Sequence, residues 1–125
     1  SGCMGRMGQQ LIKSLKRNKN FKLISLTENR IINKKISGIN PTTNNIEAFK
    51  KTNVIIDFTV PKCTIEILKI ASKLKKRVVI GTTGFSKKDE ILIKCSLHHS
   101  PGYLLVQVLF HPLNRLENLE LHWLG

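Results

Sequence analysis

The stretch from Asn53 to Ile80 constrains the fold more than any other part of the chain. It holds two short apolar runs, Asn53–Phe58 (NVIIDF) and Arg77–Ile80 (RVVI), joined by a segment with helical spacing. In that segment Ile65, Leu68, Ala71 and Leu74 share a stripe, and Pro61 sits in the first turn, where its missing N–H costs little. The helix is predicted from Thr59 or Val60 to about Lys75. Two apolar strands separated by a helix predict a βαβ unit and a parallel sheet. The same rhythm continues outward: a helix over Gly5–Asn18, with Leu11, Ile12 and Leu15 on one face, and a strand over Phe21–Thr27 (FKLISLT). Asn29–Asn45, polar around Pro41, reads as a loop with a short edge strand, and Ile46–Lys51 as a short helix. Ser86 caps a further helix, with Asp89 in the capping-box position. The predicted fold class is α/β, an incomplete Rossmann-like parallel sheet with flanking helices.

At 125 residues the chain is one domain's length, and at 41% hydrophobic it can bury a core. No apolar run reaches 18 residues, which excludes a membrane-spanning helix. The opening SGCMGRMGQQ has neither the apolar core of a signal peptide nor the character of a transit peptide. Three cysteines (Cys3, Cys63, Cys95), an odd number without metal-type spacing, point to free thiols in a reducing, cytoplasmic setting. Cys95 with His98 and His99 lacks the further ligands a metal site needs, so no metal is expected.

The net charge of +13 raises nucleic acid as a partner, since each neutralised phosphate releases counterions. The cations are scattered, however, and no aromatic residues interleave them to stack on bases. The 16 Lys, 15 Ile and 10 Asn give a compositional reading of the same charge, so no nucleic-acid partner is expected. Composition changes sharply near residue 96. Residues 1–96 hold every Lys and Ile, whereas 97–125 hold neither but contain all four His, the Tyr and the Trp. This divides the chain into a body, 1–96, and an atypical tail, 97–125, too short for a domain.

Four motifs carry chemistry, each at the start of a predicted helix or the end of a predicted strand. Gly2-Cys3-Met4-Gly5-Arg6-Met7-Gly8 opens the first helix, where glycines let the backbone approach a pyrophosphate and free N–H groups face it. Met4 stands where the standard motif has its middle glycine, and a plain glycine-rich loop is the alternative reading. Glu28 lies twenty residues after Gly8, the spacing of a carboxylate that accepts from an adenosine ribose; otherwise it is a surface turn residue. Arg30 is placed to meet a 2′-phosphate. Gly81-Thr82-Thr83-Gly84-Phe85 combines backbone freedom with two hydroxyls; otherwise it is a strand-to-helix turn stapled by Phe85. In Asp57-Phe58-Thr59, Asp57 reads as structural, bonding a helix N-terminus, with Phe58 and Thr59 nearer a ligand.

In this order and spacing, GCMGRMG, Glu28, IIDFTVP and VVIGTTGF resemble the dinucleotide-binding domain of the 4-hydroxy-tetrahydrodipicolinate reductase (dihydrodipicolinate reductase) family, over roughly residues 2–95. The resemblance implies that Gly2, Gly5, Arg6, Met7 and Gly8 hold the pyrophosphate of NADH or NADPH and that Glu28 holds the adenosine ribose. It places Gly81, Thr82 and Thr83 by the nicotinamide, with Phe58 and Thr59 lining the same cleft. It implies hydride donation to a cyclic, unsaturated dicarboxylate in lysine and diaminopimelate biosynthesis.

The chain departs from the family's pattern in four places. Asn29 stands where the family often has Arg. The family's strand before the glycine loop and its substrate domain are not in this sequence. The segment SPGYLLVQVLFHPLNRL replaces an N-F-S-type motif. No catalytic role is carried over to His98, His99 or Ser100-Pro101-Gly102. The family's oligomer forms through the domain that is not here, so self-association is not expected. Two other readings compete with a reductase's cofactor-binding part: a non-catalytic nucleotide- or nucleic-acid-binding module, and the inactive product of a disrupted reductase gene.

Overall fold

The computed structural model describes residues 1–98 and the backbone of 105–107. The elements run α1 (Arg6–Arg17), α2 (Asn45–Lys50), β1 (Val54–Asp57), α3 (Pro61–Leu74), β2 (Arg77–Ile80), α4 (Lys87–His98) and β3 (Leu105–Gln107). The sheet has the order β1-β2-β3, all parallel, with Asp57 opposite Ile80 and Ile80 opposite Gln107. The βαβ unit therefore forms where the apolar runs predict it. Part of the compositionally distinct tail belongs to the sheet as β3. His99-Ser100-Pro101-Gly102 and 108–125 lie outside the described residues.

The local chemistry explains the helix boundaries. α3 starts with Val60 as N-cap and Pro61 in the first turn, and stops at Lys75 in the left-handed conformation (φ 53°). There the Lys76 N–H donates to the Ala71 carbonyl at 2.9 Å. α2 is capped by the Asn44 side chain, which accepts from the Glu47 N–H at 3.0 Å. Ser86 and Asp89 form the expected reciprocal cap of α4: the Asp89 carboxylate accepts from the Ser86 N–H (2.9 Å) and hydroxyl (2.7 Å), and the Asp89 N–H donates to the Ser86 hydroxyl (3.2 Å). Those bonds hold the Asp89 carboxyl below its ordinary range, the side-chain bond contributing most. Lys16, Arg17, Lys50 and Lys73 fall in last helical turns, where cations meet the negative end of the helix dipole.

Ala48, Phe49, Ile55, Ile67, Leu68, Ala71, Val78, Ile80 and Ile93 form the main core, around β1, α3 and β2. A second, smaller core of Cys3, Ile12 and Leu26 takes Met4, Leu23, Ile36 and Ile39 against it. The buried stripe of α3 is Thr64, Ile67, Leu68 and Ala71: Leu68 and Ala71 are buried as expected and Leu74 packs against the core, while Thr64 and Ile67 take the place of Ile65, which is half-buried.

The expected strand at Phe21–Thr27 does not form. Only Thr27 pairs, with Thr42, in an isolated parallel bridge, and Phe21 is 61% exposed. The reason lies on the other side of the segment. A groove of about 560 Å³ separates it from β1, floored by Leu11, Ile12 and Leu15 of α1 and by Phe49. A strand needs a neighbour for its backbone groups, and among the described residues none lies across that gap. Among the described residues Ser1–Cys3 spans it, with Ser1 N donating to the Ile56 carbonyl (2.7 Å) and the Gly2 N–H to the Thr27 carbonyl (3.0 Å). The edge pairing expected in the 29–45 loop is two isolated bridges, Thr42 to Thr27 and, within the loop, Ile36 to Ile39, turned by Ser37 and Gly38 at positive φ.

Candidate functional site

Parallel strands in register finish together, so the segments that follow them share one end of the sheet. Phe58–Val60 follows β1 and Gly81–Ser86 follows β2 at that end. The glycine loop lies alongside. A Cβ on Gly2, itself at φ +72°, would come within 3.0 Å of the Phe58 carbonyl oxygen and of Thr59 Cγ2. A Cβ on Gly81 would fall 2.0 Å from the Phe58 ring. The glycine loop, Phe58-Thr59 and Gly81-Thr82 thus form one continuous arc, and the glycines are what allow it to close.

At the first end of the arc, Gly8 packs α1 onto the loop so tightly that a Cβ would meet the Gly2 carbonyl oxygen at 2.2 Å. α1 begins with no acidic side chain in its first turn and no side-chain cap. The amides of Arg6, Met7 and Gly8, like those at any helix start, have no acceptor within the helix and point out of its positive end. Arg6 is exposed beside them. Glu28 joins this group through the backbone. Its Oε2 accepts from the Met4 N–H at 3.0 Å and its Oε1 from the Asn29 N–H at 3.0 Å. Burial, and after it the Glu28 charge, push the Cys3 thiol above its ordinary value, so Cys3 is an inert wall of the loop.

At the second end a polar cluster sits under the arc. Asp57 is fully buried, and its carboxylate accepts from the hydroxyls of Thr64 (2.5 Å) and Thr82 (3.2 Å) at Oδ2 and of Thr59 (2.7 Å) at Oδ1. The Thr59 N–H donates to Thr82 Oγ1 at 3.0 Å. The helix amides that the sequence offered as Asp57's partners are replaced by three hydroxyls.

The structure sorts the two threonines after β2. Thr82 is 2% exposed and turned to Asp57, while Thr83 is exposed. Phe85 packs against the main core, so the Gly81–Phe85 segment is also a strand-to-helix turn anchored by Phe85. Arg30 is exposed, next to Glu28 in the chain. Among the described residues no group of three His, Cys, Asp or Glu could hold a metal ion. None of their helices is long and apolar enough to cross a membrane. Sequence reasoning missed Thr64. Its signal was its place on the first turn of α3, in helical register with Ile67, Leu68 and Ala71, a polar residue on a buried face.

With the arc in place, its order along the chain can be compared with known proteins. The family described as dihydrodipicolinate reductase, N-terminus, matches residues 1–107. The chain belongs to that family. The 4-hydroxy-tetrahydrodipicolinate reductase of Pelagibacter ubique (strain HTCC1062) is 73% identical over 94 residues, covering 75% of this chain and 36% of the relative. That of Buchnera aphidicola subsp. Cinara cedri (strain Cc) is 33% identical over 139 residues, covering 95% of this chain and 50% of the relative. Dipicolinate-bound dihydrodipicolinate reductase from Paenisporosarcina sp. TG-14 superposes with a TM-score of 0.60 at 24% identity, over 76% of this chain and 42% of that one. The last likeness shows the fold, a Rossmann-like α/β domain. The chain spans half or less of the length of these relatives, and corresponds to the N-terminal, dinucleotide-binding part of a reductase.

Proposed function

We propose that this chain is the cofactor-binding part of an NAD(P)H-dependent reductase of the dihydrodipicolinate type, and that the arc at the strand ends is its dinucleotide site. The bond between the Met4 amide and Glu28 carries the reading. It ties the loop suited to a pyrophosphate to the one acid spaced for a ribose. Gly2, Gly5, Arg6, Met7 and Gly8 receive the pyrophosphate through backbone amides and the helix dipole. Glu28 receives the ribose: a carboxylate offers about four lone-pair sites and two amides occupy only part of them. Phe58, Thr59, Gly81, Thr82 and Thr83 form the nicotinamide side, with Thr83 presenting its hydroxyl and Thr82 acting from beneath.

The cofactor, NADH or NADPH, supplies the hydride when bound; the chain's own residues bind and orient it. A 2′-phosphate would stand near the Glu28 carboxylate, with exposed Arg30 as its balancing charge. The acceptor is a cyclic, unsaturated dicarboxylate on the route to lysine and diaminopimelate, held by residues beyond the arc, and no catalytic residue is assigned in this chain. Residues 1–96 are taken as the cofactor-binding unit, with the tail supplying β3 to its sheet. The thiols of Cys3 and Cys63, both pushed up mainly by burial, fit a reducing cytoplasmic setting.

Fluorescence titration of the full chain with NADH and with NADPH tests the reading. Saturable binding of either supports it, and saturation by neither rejects it. Binding that ignores nicotinamide and falls steeply with salt would support a nucleic-acid module instead.

A further inference from the structure

A buried carboxylate is costly unless its oxygens are fully hydrogen-bonded. Asp57 meets that condition with three threonine hydroxyls drawn from three separate segments: Thr59 after β1, Thr64 in the first turn of α3, and Thr82 after β2. Each hydroxyl has a single proton. The Asp57 oxygens accept from all three, and so fix the rotor of every threonine around them. With its proton committed to Asp57, Thr82 Oγ1 is left as an acceptor, and the Thr59 N–H donates to it at 3.0 Å. Thr64 Oγ1 lies 2.9 Å from Thr82 Oγ1, which closes the ring of contacts. The geometry shows one acidic group locking two loops that have no regular secondary structure of their own.

We propose that Asp57 is a positioning residue for the nicotinamide end of the site. It acts through Thr59 and Thr82, with Thr64 as its fixed prop on α3, and touches no ligand itself. The proposal rests on the dinucleotide reading above and deepens it. A neutral amide cannot replace the carboxylate. Asparagine brings an N–H₂ where the hydroxyls need an acceptor, so at least one threonine must reverse, and Thr82 then no longer presents a clean acceptor to the Thr59 amide. The Phe58-Thr59 and Gly81-Thr82 loops lose their mutual register. The glycine loop keeps its own anchor, the Met4–Glu28 bond on the far side of the arc.

That separation gives the test. ADP-ribose carries the pyrophosphate and adenosine of NADH but no nicotinamide, so it reports on the first end of the arc alone. Dissociation constants for NADH and ADP-ribose are measured on the full chain and on Asp57→Asn, Thr64→Val and Thr64→Ser. Asp57→Asn and Thr64→Val are expected to weaken NADH about tenfold while ADP-ribose changes less than threefold. Thr64→Ser, which keeps the hydroxyl, stays within twofold of the parent for both ligands. Equal weakening of both ligands in folded Thr64→Val would show a merely structural role and overturn the proposal. So would unchanged NADH affinity in that variant. Should the parent chain bind neither NADH nor ADP-ribose, the dinucleotide reading itself fails and this proposal with it, a result distinct from the variant outcomes. Should Asp57→Asn not fold, the Thr64 pair decides alone.

Discussion

Two regions of the molecule carry strand-and-helix patterning in their sequence and end differently. The β1–α3–β2 unit has a closed sheet, a nine-residue core and a satisfied polar cluster beneath its loops. The glycine loop, α1 and Phe21–Thr27 form the same kind of arrangement on paper, yet they enclose three buried core residues and a groove, and the would-be strand has one bridge. The difference lies in neighbours. β1 and β2 satisfy each other's backbone groups, whereas Phe21–Thr27 faces open volume where its pairing edge should be. An alternating pattern therefore specifies which face a strand would bury, and pairing decides whether a strand exists.

The contrast is sharpest in the cores. Ile67→Ala, at a 1% exposed site touching the sheet, is expected to cost about 3–4 kcal/mol in urea unfolding, and Ile12→Ala, beside the groove, about 2 kcal/mol. Equal costs would break the comparison. The glycines give the next largest effect. In Gly8→Ala the new Cβ meets backbone, the Gly2 carbonyl, and about 2–3 kcal/mol of overpacking is expected together with loss of dinucleotide binding. In Gly81→Ala it meets the Phe58 ring, a side chain that can swing, so about 1 kcal/mol is expected, and the added substitution Phe58→Ala should remove the clash.

Smaller effects lie at helix ends. Lys75→Gly relieves a left-handed residue at the end of α3 and should raise stability by about 0.5–1 kcal/mol, read as a shift in the urea midpoint. The Asp89 cap is the smallest. Its carboxyl is held below the ordinary 3.8, so the cap's contribution is present above that pH and disappears as pH falls through the lowered folded value. Hydrogen exchange at the first turn of α4 should accelerate there, and Asp89→Asn should remove that dependence on pH.

Most of the sheet, and the loops that make up the candidate site, were legible in the sequence because they rest on local signals. Pro61, the Ser86–Asp89 pair, the RVVI run and the glycine spacing each act within a few residues, and α3, α4, β2 and the loop before α1 formed where those signals stood. What was not legible depends on tertiary neighbours. The Asp57 cluster joins residues 7 and 25 apart in the chain, and nothing local marks Thr64 or Thr82 as its partners. Phe21–Thr27 failed for the same reason. YLLVQVLF reads as a segment able to form a strand, but that Leu105–Gln107 pairs with β2 depends on the sheet and not on a local signal.

The most direct test of the account is a map of backbone amide shifts in the isotope-labelled chain as NADH is added. The account expects saturable changes along the arc, at Gly2–Gly8, Glu28, Phe58–Thr59 and Gly81–Thr83, with the Met4 amide among the largest. Saturable changes confined to the groove between Phe21–Thr27 and β1, or to the basic helix ends, would contradict it.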